Sequence, residues 1–139
     1  MQATTANALA KLERRVGSLD EYVCDRLGYG TPQELHKYFS AEQVDACALA
    51  IANLEKRSGF IIGDQTGIGK GRVVAATIRY AKLTGRVPIF VTKDTPLYGD
   101  MIRDLRDINL RRFRPFVTNS TLSLPLPDGR VLQTSPQFH

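Results

Sequence analysis

Apolar residues recur at helical spacing along the first part of the chain. One such helix follows Ser40-Ala41-Glu42-Gln43, which has the form of a capping box. Its apolar positions are Val44, Cys47, Ala48, Ile51 and Leu54. A second capping box, Thr31-Pro32-Gln33-Glu34, predicts a shorter helix through Tyr38. Upstream, a short helix is predicted over residues 19–27, and residues up to about Arg15 are typical of a solvated helix or a disordered lead-in.

The hydrophobic period changes after Gly59. Three short apolar runs, residues 60–62, 87–91 and 115–118, have the length and composition of buried strands. Helical patterns lie between them, one leading to Leu83 and one opening at Thr95-Pro96. Strands that alternate with helices predict an α/β fold with a parallel sheet and covering helices. A hairpin is predicted to turn at Asp128-Gly129.

Composition narrows the class of protein. The 139 residues fit one domain or part of a larger one, and 42% hydrophobic and 24% charged residues are ordinary for a globular protein. No apolar run approaches the roughly 20 residues that span a bilayer, and no secretory signal is visible. Cys24 and Cys47 have no metal-type spacing, so we expect reduced structural thiols, a cytoplasmic protein and no metal site made by the chain alone.

The formal net charge is +5. A positive charge favours acidic partners such as nucleotides or nucleic acid. Many basic proteins bind neither, so a merely soluble surface is the alternative.

A glycine-rich segment, Asp64-Gln65-Thr66-Gly67-Ile68-Gly69-Lys70-Gly71, follows the first predicted strand and opens a predicted helix. At such a turn, backbone N–H groups and the helix N-terminus can hold a phosphate chain, and the lysine adds charge at the β and γ phosphates. Glycines allow the backbone to approach the phosphates closely. The predicted nucleotide-binding residues are Gln43, Gln65, Thr66, Gly67, Ile68, Gly69, Lys70, Gly71 and Arg72, with Lys70 as the catalytic residue.

Two positions depart from the strict phosphate-loop pattern. Asp64 stands where glycine is usual, and Gly71 stands where serine or threonine is usual. The alternative is therefore a glycine-rich turn between a strand and a helix that binds nothing.

The segment Asp64–Lys70 resembles the first motif of superfamily 2 helicases and chromatin remodellers. Gly69-Lys70-Gly71-Arg72, together with Asp104-Leu105-Arg106-Asp107-Ile108, resembles the strawberry notch helicase-like family, which includes large phage and plasmid proteins, some linked to protection of incoming DNA from restriction. The resemblance covers roughly residues 39–108. It implies a phage- or plasmid-encoded N-terminal fragment of a motor protein, with a helical segment over residues 1–39 and the first part of a RecA-like P-loop NTPase domain over residues 40–139.

The resemblance also implies ATP and Mg²⁺ as cofactors. At position 71 the common loop has a hydroxyl that ligates Mg²⁺, so with Gly71 the metal would rest on phosphate oxygens, water and residues outside this chain. In the helicases that the chain resembles, a glutamine upstream of the loop reads adenine, and Gln43 lies at the matching distance. The alternative is that Gln43, the last residue of its capping box, bonds only to the backbone of Ser40.

Two further segments are candidates for nucleic-acid contact. In superfamily 2 proteins the turn after the second strand touches the nucleic-acid backbone, which implies Lys93 and Thr95; alternatively, Thr95 only caps the helix that Pro96 opens. The cluster Arg111-Arg112-Phe113-Arg114 is basic and contains an aromatic ring. A solvated face of Asp–Arg pairs is the alternative reading of this basic region.

The predicted function is ATP binding as the first part of a DNA-dependent, helicase-like ATPase. No Asp-Glu pair follows the loop, so the Walker B acid that holds Mg²⁺ is missing and we expect this chain alone to hydrolyse ATP poorly. Two alternatives remain: a regulatory module that binds nucleotide without hydrolysis, and a nucleic-acid-binding or assembly protein with a vestigial loop. The expected partners are a nucleotide, DNA and the remainder of a larger motor, with no membrane.

Overall fold

A computed structural model describes residues 2–63 and 69–138. Six helices are followed by a small hairpin. The elements are α1 (Gln2–Val16), α2 (Leu19–Leu27), α3 (Pro32–Tyr38), α4 (Ala41–Glu55), α5 (Lys70–Leu83), α6 (Pro96–Asp107), β1 (Ser123–Pro125), β2 (Val131–Gln133) and a 3₁₀ turn (Pro136–Phe138).

The helix starts follow the capping residues in the sequence. The side chains of Ser18, Thr31 and Ser40 each accept a hydrogen bond from a backbone N–H three residues later, which satisfies a donor that the helix itself leaves unpaired. At the other end of α2, Gly28 adopts the left-handed conformation, with φ +74°. The predicted helices over residues 19–27, 31–38 and 40–54 are therefore confirmed within a residue or two.

The core forms around α4, which packs against α1, α2 and α5. Its buried face includes Val44, Cys47, Ala48 and Ile51, the apolar positions that the helical spacing predicted, whereas Leu54 is only partly buried. The same hydrophobic cluster continues through α2, α5 and α6, so all these helices share one core. Burying each large side chain contributes about 1.5–3 kcal/mol, which favours this arrangement over isolated helices.

Polar contacts join α6 and the residue after it to the segment between α2 and α3 and to the hairpin. The hydroxyl of Tyr29 donates to the carbonyl of Ile108 at 2.5 Å, and the ring of Tyr29 stacks on Tyr38 with centroids 5.3 Å apart. On its other side, Arg106 of α6 pairs with Asp128 of the hairpin at 2.6 Å. These contacts hold α6 between the segment that follows α2 and the hairpin.

The predicted hairpin is confirmed. β1 and β2 pair antiparallel, with Leu124 opposite Leu132. Gly129 in the turn has φ +86°, a conformation that glycine adopts without strain. The helix predicted to open at Thr95-Pro96 is confirmed as α6, which begins at Pro96 and ends at Asp107.

The three runs predicted as buried strands are not paired into a sheet in the part of the chain that the structure describes. The prediction of burial is also wrong for one side of these runs. Ile61, Val87, Ile89 and Val91 are 83–89% exposed, and Phe116 is 60% exposed. The alternate residues Ile62 and Phe90 pack against the helical core, so one face of each run is covered and the other is not. Among the described residues, helices pack against one side of these runs, and the other side therefore remains exposed.

None of the described helices is both long enough and apolar enough to cross a membrane.

Candidate functional site

The start of α5 forms the centre of the candidate site. Lys70 is the first residue of the helix, and Gly69 precedes it in the left-handed conformation, with φ +72° and ψ 54°. The N–H of Arg72 donates to the carbonyl of Gly69 at 3.1 Å. The other N–H groups of a first helical turn have no intrahelical partner, and together with the helix dipole they attract an anion. The predicted helix start next to Gly69 is therefore confirmed, and phosphate binding there stays a prediction.

Gln43 lies directly beside this helix start. Its side-chain oxygen accepts the N–H of Ser40 at 2.9 Å, and the Ser40 hydroxyl accepts the N–H of Gln43 at 3.2 Å. The capping-box reading is thus confirmed. The amide nitrogen of Gln43 also donates to the carbonyl of Gly69 at 3.3 Å. Contact between Gln43 and adenine stays a prediction.

Two independent features of the structure favour glycine at position 69. Its φ lies in the region that favours glycine. A Cβ at this position would also overlap the amide nitrogen of Gln43 and lie 3.6 Å from its Cδ. The loop and α4 approach each other this closely only because residue 69 has no side chain.

Gly71 meets a carboxylate that the sequence had not connected to the loop. A Cβ on Gly71 would overlap Oδ2 of Asp104 in α6 and lie 3.1 Å from its Cγ. The Asp104 side chain is 15% exposed, and its other oxygen, Oδ1, lies 3.7 Å from a guanidinium nitrogen of Arg103. Burial raises the pKa of Asp104, and the positive charge of Arg103 partly offsets this increase. In the sequence, residues 104–108 are connected to the loop only through the family resemblance, because no local pattern links residue 104 to residue 71.

The Arg72 side chain turns away from the helix start. One guanidinium nitrogen donates to the carbonyl of Tyr38, and the other lies 4.0 Å from Asp107. Arg72 therefore joins the end of α3 to α6 in the described structure. Its predicted contact with nucleotide stays a prediction.

The remaining predicted loop residues lie outside the described part of the chain. They are Gln65, Thr66, Gly67 and Ile68, with Asp64 before them.

The candidates for nucleic-acid contact are all on the surface. Lys93 and Thr95 are exposed, as are Arg111, Arg112 and Arg114. Thr95 precedes α6 but makes no side-chain cap hydrogen bond among the described residues, so the capping alternative is not realised there.

The charge of α6 is partly neutralised by its own acids and by the hairpin. Arg103 lies 3.5 Å from Asp100 and Arg106 pairs with Asp128, as expected for a solvated face of ion pairs. The cluster that follows α6 differs, because Arg111 donates to the side-chain oxygen of Asn109 at 3.4 Å and forms no ion pair with any described residue.

Both cysteines are free and buried, as predicted. The thiol of Cys24 donates to the carbonyl of Tyr29 at 3.2 Å. Burial raises the pKa of Cys47 to about 12, so this thiol is chemically inert in the folded chain.

The described residues could contribute one ligand to the Mg²⁺ of a nucleotide, but they do not form a complete metal site. No group of three or more His, Cys, Asp or Glu side chains is placed to hold a metal by itself within residues 2–63 and 69–138. The Asp104 carboxylate does lie against the first turn of α5, and carboxylate oxygens are ligands that Mg²⁺ prefers. Such a site needs the phosphates to complete the metal's coordination.

One known protein family matches most of the chain. The family described as "P-loop containing NTP hydrolase pore-1" matches residues 21–126, which include the helix start at Lys70 and all of α6. No solved structure matches the chain.

Several curated proteins are similar over about half of the chain. "Protein strawberry notch homolog 2" of Homo sapiens is 41% identical over 76 residues, which is 50% of this chain and 6% of that protein. "Protein strawberry notch" of Drosophila melanogaster is 39% identical over 64 residues, or 45% of this chain and 4% of that protein. The homolog of Caenorhabditis elegans is 39% identical over 77 residues, again 50% of this chain and 4% of the relative. The resemblance to strawberry notch proteins is thus confirmed, and since the match to the family extends over more than half of its residues, the chain belongs to the family of P-loop containing NTP hydrolases of the pore-1 type.

Proposed function

We propose that this chain binds ATP with Mg²⁺ through residues 64–71 and serves as the nucleotide-binding part of a helicase-like, DNA-dependent ATPase. The observation that carries the proposal is the start of α5. Lys70 follows a left-handed Gly69 at the N-terminus of a helix, beside Gln43. The chain also belongs to a family of P-loop NTP hydrolases. Backbone N–H groups would hold the phosphates there, and the Lys70 ammonium would stabilise charge on the γ phosphate.

The proposed RecA-like sheet would use the half-exposed runs. Their outer residues, Ile61, Val87, Ile89 and Val91, form apolar surface that water solvates poorly. In a parallel sheet with helices on both faces, such residues are buried. We therefore propose that the remainder of a larger motor covers this surface, which fits a chain that aligns with 4–6% of its relatives.

Titration with a fluorescent ATP analogue tests nucleotide binding. Lys70→Ala removes one charge-assisted contact of about 1.5–3 kcal/mol, so we expect affinity to fall about 10- to 100-fold. Lys11→Ala is the matched control, because it removes the same charge from an exposed position on α1. Equal affinity of the wild type and Lys70→Ala would refute phosphate binding by the loop and favour a vestigial one.

Hydrolysis is proposed for a longer protein that contains this chain. The reaction requires an acid that holds Mg²⁺ and orients water, and no Asp-Glu pair follows residue 71 in this sequence. Phosphate release by this chain, with and without DNA, should therefore stay at background. Turnover that depends on Lys70 would show that hydrolysis does not require an Asp-Glu pair after the loop.

For DNA, the exposed basic positions Lys93, Arg111, Arg112 and Arg114 are the proposed contacts. Contacts to phosphates are sequence-independent and weaken with salt. We expect the triple variant with Ala at 111, 112 and 114 to lower affinity for single-stranded DNA and to flatten its salt dependence in fluorescence anisotropy. Replacing Lys11, Arg14 and Arg15 of α1 by Ala controls for net charge, since the same number of charges is removed from exposed positions on a different helix.

A further inference from the structure

The close contact between Gly71 and Asp104 is the feature that the proposed function leaves unexplained. A Cβ on residue 71 would overlap Oδ2 of Asp104, so a side chain there would require the carboxylate to move. Asp104 belongs to α6 and reaches the first turn of α5 across the interface between the two helices. The absence of a side chain at Gly71 therefore lets the Asp104 carboxylate lie against the first turn of α5.

Position 71 is also where the common phosphate loop differs from this one. Serine or threonine at that position provides a hydroxyl for the Mg²⁺ that accompanies the nucleotide. Here the hydroxyl is missing, and an oxygen of Asp104 lies within the space that such a side chain would fill. Mg²⁺ is usually held by one or two carboxylates together with phosphates and water.

We propose that Asp104 supplies the protein oxygen for the nucleotide's Mg²⁺, in place of the hydroxyl that Gly71 lacks. This inference rests on the proposed function, since it needs a nucleotide at the start of α5. Asp104 reaches across from another helix, so the ligand depends on the packing of α6 and not on the loop sequence.

The electrostatic surroundings give the proposal a distinctive signature. Arg103 lies near Oδ1, and the opposite oxygen, Oδ2, lies at Gly71. Without metal, a carboxylate at that position repels the phosphates; with Mg²⁺ between them, the same charge becomes favourable. Asp104 should therefore weaken metal-free binding of nucleotide and strengthen binding in Mg²⁺.

A purely structural carboxylate would behave differently. In that role, Asp104 would only stabilise the N-terminus of α5, through its charge next to the helix dipole. Replacing it would then lower the stability of the chain and change nucleotide affinity equally with and without metal. The difference between the two metal conditions separates the two roles.

The test measures affinity for a fluorescent ATP analogue in Mg²⁺ and in EDTA. We expect Asp104→Asn, which keeps the size of the side chain, to reduce the gain in affinity from Mg²⁺ by about tenfold or more, with metal-free affinity unchanged or higher. Mn²⁺ bound with ADP gives a second readout by electron paramagnetic resonance, and its affinity should fall in parallel. Asp100→Asn is the matched control, because Asp100 is an exposed carboxylate on the same helix and pairs with Arg103, which is not a predicted nucleotide contact.

Variants that place a hydroxyl at residue 71 provide a further test. Gly71→Thr alone should displace the carboxylate, whereas Gly71→Thr combined with Asp104→Ala restores a hydroxyl and removes the overlap. We expect the double variant to recover at least part of the Mg²⁺ gain that Asp104→Ala loses. If Asp104→Asn keeps the full gain, the inference is overturned while nucleotide binding stands. If Lys70→Ala binds as tightly as the wild type in both conditions, the proposed function itself fails.

Discussion

Replacing Gly69 by alanine tests whether the loop is held against α4 as the structure shows. The substitution adds a single methyl group at the residue before Lys70. That methyl group must accept a left-handed backbone, with φ +72°, and it must also displace the amide nitrogen of Gln43. Both effects act on the folded state and leave the rest of the chain unchanged.

The two effects can be given magnitudes. A residue with a Cβ in the left-handed conformation costs about 1–2 kcal/mol relative to glycine. Displacing Gln43 removes its hydrogen bond to the Gly69 carbonyl, which contributes about 1 kcal/mol. We therefore expect Gly69→Ala to lower the free energy of unfolding by about 2–3 kcal/mol, a large share of the roughly 5–15 kcal/mol that stabilises a typical domain.

Urea unfolding followed by circular dichroism measures this loss. Gly17→Ala is the control for backbone strain alone, because Gly17 has φ +92° and nothing within 4 Å of its added Cβ. Gly59→Ala controls for the substitution itself, since no atom lies near that Cβ either, and we expect a change within about 0.5 kcal/mol.

A double-mutant cycle isolates the contact with α4. In a Gln43→Ala background the added methyl group meets no amide, so the cost of Gly69→Ala should fall to about 1–2 kcal/mol, the strain term alone. If Gly69→Ala costs no more than Gly17→Ala, or costs the same with and without Gln43, the close approach of loop and helix is refuted.

Three further results are expected. Cys47, with its pKa raised to about 12 by burial, should resist a thiol reagent at mildly alkaline pH until denaturant unfolds the chain, and rapid labelling of the native state would contradict its burial. The backbone N–H of Arg130 lowers the pKa of Asp128, so the stabilisation from this carboxylate is present above its ordinary pKa and disappears as pH falls through the lowered value; an NMR titration with an ordinary midpoint would count against that bond. Ile89→Ser should change the stability of this chain by less than about 0.5 kcal/mol because the side chain is 84% exposed, whereas Phe90→Ser should cost more; equal losses in urea unfolding would mean that both faces are buried.

Local patterns were enough to predict the helices. The capping boxes at Thr31 and Ser40 place side chains where the first N–H groups need acceptors, and that requirement depends on only a few neighbouring residues. Apolar spacing likewise predicted the buried face of α4, and Asp128-Gly129 predicted the hairpin turn.

Sheet formation depends on partners that no local pattern contains. The runs at residues 60–62 and 87–91 alternate between inward and outward residues, but in the described structure they remain unpaired. A continuous apolar run predicts burial on both faces. Helices cover one face only, so Ile61 and Ile89 are exposed.

The sequence by itself determined the elements whose causes are local: the capped helices, the hairpin turn and a lysine placed at a helix start after glycine. Tertiary structure decided which distant groups meet there. It brought Gln43 to the carbonyl of Gly69 and Asp104 to the space above Gly71. These contacts depend on how α4 and α6 pack against α5, and packing is fixed by the whole core, whereas a motif records only its own neighbours.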